Sequence, residues 1–276
     1  MSVNCSNNRI LICLCSRSHV GSVFLWGSFI SYMLLVPVFL SVLYLGYRKW
    51  KKPSSVSHSD VFTFHLVCMD SLAALGSIFF TWGLQAKISP VFTVGLSLWE
   101  MSFNGQLYFH SLTCVDRYLA VVRPITYLRL KKSVWTIVRN IGVGFIWGLC
   151  ICHPLVSSSS EHLENLIYFA QVILSLALMS FCSVSVLCVL IRPGPGEGGG
   201  TRKQLKQSKK SAFYTIIVIL AVMVLRHGIS VVYQILFWFN KDFTHCSMLT
   251  SMLWFSLPSS LVLPVLFLHR ERTTRR

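Results

Sequence analysis

Apolar runs of about twenty residues recur along the chain, separated by short polar stretches rich in Lys, Arg, Pro and Gly. A helix rises about 1.5 Å per residue, so each run is long enough to cross the ~30 Å hydrocarbon layer of a bilayer. The predicted spans are residues 23–47, 60–84, 91–122, 134–156, 166–191, 212–239 and 246–268. We therefore expect an all-α membrane protein, a seven-transmembrane helix bundle that forms a single domain over residues 1–276.

The composition agrees with this pattern, since 54% of residues are hydrophobic and only 12% are charged. Seven spans use most of the chain and leave no segment for a soluble catalytic domain. Residues 1–22 are expected to precede the first span outside the cell, and residues 269–276 to form a short cytoplasmic tail. Residues 192–211, which begin with a Pro- and Gly-rich stretch and continue into a basic run, are expected to form a flexible cytoplasmic loop.

The formal charge of +16 raises the question of nucleic-acid binding, which the positions of the charges answer. Of the 25 Lys and Arg residues, 20 fall in or beside the loops and tail on one side of the predicted bundle. Cytoplasmic loops carry such an excess, so the N-terminus is expected outside and the C-terminus inside. The basic residues then face anionic membrane lipids, and no nucleic-acid partner is expected.

Polar residues inside the spans indicate how the bundle is arranged. Asp70 lies about ten residues from the inner end of the second span, roughly 15 Å deep. The third span is the richest in polar side chains, with Asn104 and His110 among them. Charged and polar groups are costly in contact with lipid, so we expect Asp70 to face the bundle interior and the third span to lie at its centre.

The segment CVDRYLAVVRPITY, from Cys114 to Tyr127, resembles the end of the third helix of rhodopsin-like (class A) G-protein-coupled receptors. The matching residues are Asp116, Arg117, Tyr118 and Pro124. Asp70 in span two and Trp147 in span four also agree, and the chain is identified as an atypical orphan member of that family. The resemblance implies a multi-pass protein of the plasma membrane that transmits an extracellular ligand signal to a heterotrimeric G protein.

Asp116 and Arg117 carry the switch that the resemblance implies. The carboxylate is expected to pair with the guanidinium and restrain it, and release would let Arg117 contact the C-terminal helix of the Gα subunit. The alternative interpretation is a simple anchor at the membrane boundary, where Arg is common.

Several residues depart from the family pattern. The Asn-Pro-x-x-Tyr motif of the seventh helix reads Leu263-Pro264-Val265-Leu266-Phe267, and the sixth helix has His227-Gly228-Ile229 where the family has a Trp and, two residues later, a Pro. These losses favour a first alternative, a non-signalling binding protein (decoy) or heteromer partner. A transporter or channel is a second alternative, favoured by the buried charges but not by the absence of repeated halves.

Two groups of residues in the spans are candidate sites. The resemblance implies a sodium ion near Asp70, for which Gln106, Ser259 and Ser260 could supply oxygens. The alternative is a polar core bridged by water.

The second group lies nearer the outer side. Glu100 and Arg226 are each about 25 Å from their inner helix ends, so the two charges could meet directly or bind a charged ligand together. Alternatively, Arg226 turns toward the seventh span and Glu100 faces the cavity alone. Trp99 and His227 could line this ligand cavity, or simply pack.

Outside the spans, Asn4 begins an N-glycosylation sequence, Asn-Cys-Ser. Cys246 could form a disulfide with Cys5, Cys13 or Cys15, or the thiols could stay free. No cysteine or histidine spacing indicates a metal site, and no base is placed beside a nucleophile. We therefore expect no enzymatic activity and no cofactor, while a homo- or heteromer remains possible.

Overall fold

The computed structural model describes residues 19–51, 58–125, 127, 134–156, 161–191, 217–218, 220–229, 231–232, 235, 254–258, 260–262 and 264–268. Five long helices are α1 (His19–Trp50), α2 (His58–Ala86), α3 (Ser89–Val122), α4 (Val134–Val156) and α5 (Glu161–Ile191). A shorter helix, α6, covers Leu220–Ile229, and we call the helical residues 254–258, 260–262 and 264–268 α7. Asn4, Cys5, Cys13, Cys15, Cys246 and Ser259 lie outside the described residues, as do residues 192–211 and 269–276.

Every regular element among the described residues is a helix, and none of these residues forms a strand. The expectation of an all-α protein is confirmed to that extent. Helix α1 continues through Pro37, whose carbonyl accepts a hydrogen bond from the Ser41 hydroxyl at 2.7 Å. A bond of this kind to the preceding turn gives the hydroxyl a partner within an apolar helix.

Helix α3 lies at the centre of the described bundle and packs against α2, α4 and α5. Its residues from Ser102 to Leu107 are all buried, although consecutive side chains point around the full circumference of a helix. A helix buried on every side must be surrounded by others. The expectation of a central third helix therefore agrees with the packing.

Helices α2 and α3 form a close antiparallel hairpin. Lys87 turns the chain with a φ of 58°, and the extended Ile88 leads into α3 with Pro90 in its first turn. The helices approach so closely that a Cβ added at Gly83 would overlap the backbone of Phe92. This hairpin fixes α2 against α3 and so sets the position of Asp70 relative to the polar residues of α3.

The outer surface of the bundle is apolar, whereas its interior contains polar side chains. Leu34, Phe145 and Leu174 are 65–73% exposed, while Asp70 and Arg226 are buried. Three described helices are long and apolar enough to cross a membrane, over Phe29–Trp50, Asp60–Ala86 and Leu166–Val189. Shorter apolar stretches occur in α4, α6 and α7. A surface of this kind is suited to lipid rather than water.

Candidate functional site: a polar core and the end of the third helix

The Asp-Arg-Tyr triplet occupies the last turns of α3. The helix ends at Val122, and the backbone N–H of Arg123 still bonds to the carbonyl of Leu119 at 3.2 Å. Pro124 is exposed and follows this break. Tyr118 packs its ring against Phe181 of α5, with 5.9 Å between ring centroids. The ring of Tyr118 therefore packs the triplet against the adjacent helix α5.

Asp116 is buried at this end and faces two residues that follow it in the chain. Tyr127 donates a hydrogen bond to its carboxylate, and Arg139 of α4 interacts with it electrostatically. The pKa of the Tyr127 phenol is raised, first by desolvation and then by the negative charge of Asp116. The carboxylate thus joins the end of α3 to the following loop and to α4. Its predicted pairing with Arg117 stays a prediction.

A chain of hydrogen bonds crosses the middle of the bundle. Gln106 of α3 donates from Nε2 to Asp70 Oδ1 of α2 at 2.7 Å, and its Oε1 accepts from Nη1 of Arg226 of α6. Ser260 of α7 donates to the same Asp70 oxygen at 2.6 Å. We call Asp70, Gln106, Arg226 and Ser260 the polar core. It connects four helices through side chains that are all buried.

The polar core is supported by neighbouring hydroxyl groups. Ser102, one turn before Gln106, accepts a second bond from its Nε2 at 3.2 Å and donates to the carbonyl of Met69 at 2.6 Å. The hydroxyls of Tyr32 and Ser256 lie 2.6 Å apart and link α1 to α7. Buried polar networks of this kind hold helices in one arrangement because each unsatisfied member would be costly.

The predicted ligand-cavity residues lie around Phe103 of α3. The guanidinium of Arg226 lies 5.1 Å from the centre of the Phe103 ring, and His227 contacts that ring edge-on at 5.5 Å. Trp99 is 5.6 Å from Phe103 and also packs against the apolar cluster between α1, α2 and α3. Both ring nitrogens of His227 are without a hydrogen-bond partner among the described residues. His227 is thus a buried polar group in an aromatic surrounding.

Glu100 is partly buried, six residues before Gln106 on α3. The two positions are about 9 Å apart along the helix axis. The structure brings the guanidinium of Arg226 to Gln106, and through it to Asp70. A direct Glu100–Arg226 pair stays a prediction.

An open groove of about 460 Å³ runs along the N-terminal half of α3. It is lined by Pro90, Thr93, Val94, Ser97, Leu98 and Met101. The groove is mostly apolar, and the predicted cavity residues do not line it. It therefore differs in position from the proposed ligand site.

The seventh-helix residue Phe267 packs toward α1 and α2. Its ring contacts Phe64 at 5.5 Å, and the ammonium of Lys49 lies 5.2 Å from its centre. Lys49 also forms an ion pair with the buried Asp60 at 3.1 Å. Phe267 stands where the family pattern has a Tyr, and its ring contacts an aromatic ring and an ammonium group.

Sequence reasoning missed several residues that the structure places in these sites. Tyr127 stood in the quoted motif but received no role, and Phe103 was an unmarked aromatic in a span. His65 accepts a hydrogen bond from Trp147 at 3.2 Å and stacks on Phe109. The available signal for His65 was a polar aromatic residue inside an apolar span. For Phe103, the neighbouring polar residues gave the only hint.

Comparison with known proteins gives a distant similarity. No protein-family model matches the chain. The chain is 25% identical over 221 residues to C-C chemokine receptor type 4 of Homo sapiens, an alignment that covers 71% of this chain. It spans only 56% of the length of that receptor. Together with the apolar helices, this similarity suggests a membrane protein of a family like the G-protein-coupled receptors.

Proposed function

We propose that the chain is a seven-span rhodopsin-like receptor of the plasma membrane that transmits an extracellular signal to a heterotrimeric G protein. The observation that carries the proposal is the end of α3, where the Asp116-Arg117-Tyr118 triplet precedes a helix break at Arg123. Asp116 is engaged by Tyr127 and Arg139, so changes in the following loop reach the triplet directly. The distant similarity to a receptor supports the same function.

In this proposal the N-terminus is outside and the Arg117 end of α3 faces the cytoplasm. A ligand bound near Phe103, Trp99 and His227 contacts α3 and α6 together, and Arg226 joins this region to the polar core. A ligand that prefers one arrangement of these helices shifts the population of the whole bundle. The result at the other end is access of Gα to Arg117.

The test is nucleotide exchange on purified Gα subunits in membranes that contain the full chain. Basal exchange is measured first, and C-C chemokines are the first ligands to add because of the similarity to a C-C chemokine receptor. Arg117→Ala should abolish the exchange. Lys51→Ala, which removes an equal charge from the exposed end of α1, should retain it. Equal exchange by both variants would contradict the proposal.

A non-signalling binding protein or heteromer partner is the second candidate. The observation that favours it is Phe267, whose ring contacts Phe64 and Lys49 and lacks the hydroxyl of the tyrosine in the family pattern. For such a protein, ligand binding persists while no Gα subunit responds. Labelled ligand that binds equally to cells with wild type and with Arg117→Ala, without nucleotide exchange on Gα in either case, would support this candidate over the receptor.

A further inference from the structure

Arg226 places a permanent positive charge inside the bundle. Its side chain is 4% exposed, while its neighbours Val224 and Leu225 on the same helix are exposed on the outer surface. A guanidinium stays protonated in proteins and needs an acceptor and a counter-charge when it is buried. Arg226 bonds to the oxygen of Gln106 and interacts electrostatically with Asp70.

The guanidinium also determines how Gln106 is oriented. Arginine has no acceptor atom, so the amide of Gln106 must turn its oxygen toward Arg226. The NH₂ group then faces Asp70 at 2.7 Å and Ser102 at 3.2 Å. Arg226 therefore acts on Asp70 through Gln106, and we describe it as a positioning residue.

This arrangement does not fit the sodium ion that the family resemblance implies at Asp70. Hard cations such as sodium are bound by oxygen atoms. On the Asp70 side, Gln106 presents N–H donors, and Asp70 Oδ1 already accepts bonds from Gln106 and Ser260. A mobile cation would also be repelled by the adjacent guanidinium.

We propose that Arg226 is the resident cation of the Asp70 site and takes the place of a dissociable sodium ion. The buried carboxylate is compensated from within the chain, and the polar core holds α2, α3, α6 and α7 together at any sodium concentration. This inference goes beyond G-protein coupling and does not depend on it.

The test is thermal unfolding of the purified full chain, with sodium chloride replaced by choline chloride at constant ionic strength. Wild type should unfold at the same temperature in both salts. Arg226→Met removes the guanidinium. This variant should unfold at a temperature at least about 2 °C higher in sodium chloride than in choline chloride, because a bound ion stabilises the folded state. Asp70→Asn in the same background should abolish that shift, and Arg226→Lys, which keeps the charge, should show none.

Two results would overturn the proposal. The first is a sodium-specific stabilisation of wild type that Asp70→Asn lacks. The second is a folded Arg226→Met variant that does not respond to sodium. Should Arg226→Met fail to fold, the comparison of wild type with Asp70→Asn decides: equal midpoints in both salts support the proposal, and a sodium shift in wild type alone overturns it.

Discussion

The amide nitrogen of Gln106 lies 2.7 Å from the carboxylate of Asp70 and joins α3 to the closely packed α2. The same amide reaches Arg226 through its oxygen. One side chain thus connects a buried anion on α2 with a buried cation on α6. The predictions below concern this connection, the close packing that supports it and the end of α3.

Removal of the Ser260 hydroxyl should destabilise the protein, because it takes a donor from the buried Asp70 carboxylate. Ser260→Ala should lower the free energy of unfolding by about 1.5–3 kcal/mol, the usual contribution of a hydrogen bond to a charged group. Ser77→Ala is the matched control, since Ser77 is also buried but bonds to a carbonyl of its own helix. Thermal unfolding of both variants checks the prediction. An equal loss of stability in Ser260→Ala and Ser77→Ala would contradict the special role of Ser260.

The contact between α2 and α3 should not tolerate a methyl group. Gly95→Ala places a Cβ against the backbone of Phe80, which cannot move without separating the helices. We expect a loss of about 2 kcal/mol or more, measured as a lower unfolding temperature. Gly148→Ala on α4 is the control, because its Cβ would meet no atom within 4 Å. That change should be neutral or stabilising by up to about 1 kcal/mol.

Loss of the Lys49 ammonium should weaken the contact between α1, α2 and α7. Lys49→Met removes the ion pair with the buried Asp60 and the contact with Phe267. We expect the free energy of unfolding to fall by about 1–3 kcal/mol, because Asp60 is buried and Lys49 is largely shielded from water. Lys51→Met, which removes a cation from the exposed ring of Tyr47, should change stability by less than about 0.5 kcal/mol. Chemical denaturation of both variants provides the comparison.

The Tyr127–Asp116 bond should contribute to stability at neutral pH and lose its contribution only in alkali. The pKa of Tyr127 is raised above the usual 10.0, so the phenol is protonated in both folded and unfolded protein below about pH 9. As pH rises through the raised folded-state pKa, the stabilisation is lost. The difference in stability between wild type and Tyr127→Phe should be about 1 kcal/mol and constant from about pH 6 to 9.

Thermal unfolding of both proteins across this range checks the prediction. A difference that already disappears near pH 7 would mean that another group, and not the phenol, controls the effect.

The direct Glu100–Arg226 pair can be tested by substitution of both residues with Gln, singly and together. If the two charges meet, the double variant should lose less surface expression than the sum of the single variants. Additive losses would argue against the pair and leave Gln106 as the contact through which Arg226 acts.

The helical class and the central position of the third helix followed from the sequence, because apolar length and polar content are properties of single segments. Asp70, Gln106, Ser259 and Ser260 could be grouped from the resemblance to the receptor family, which implies a polar site near the aspartate of the second helix. The partner of Arg226 could not, since depth does not determine the rotation of α6 or the direction in which a long arginine side chain extends. Likewise, the contact of Asp116 with Tyr127 depends on the path of the chain after Arg123, which no periodic pattern describes.

The most direct test of the central claim is the membrane topology of the full chain. Epitope tags at the two ends are probed by antibody on intact and on permeabilised cells. A seven-span receptor predicts that the N-terminal tag is labelled on intact cells and the C-terminal tag only after permeabilisation. Labelling of both tags on the same side of the membrane would contradict the account.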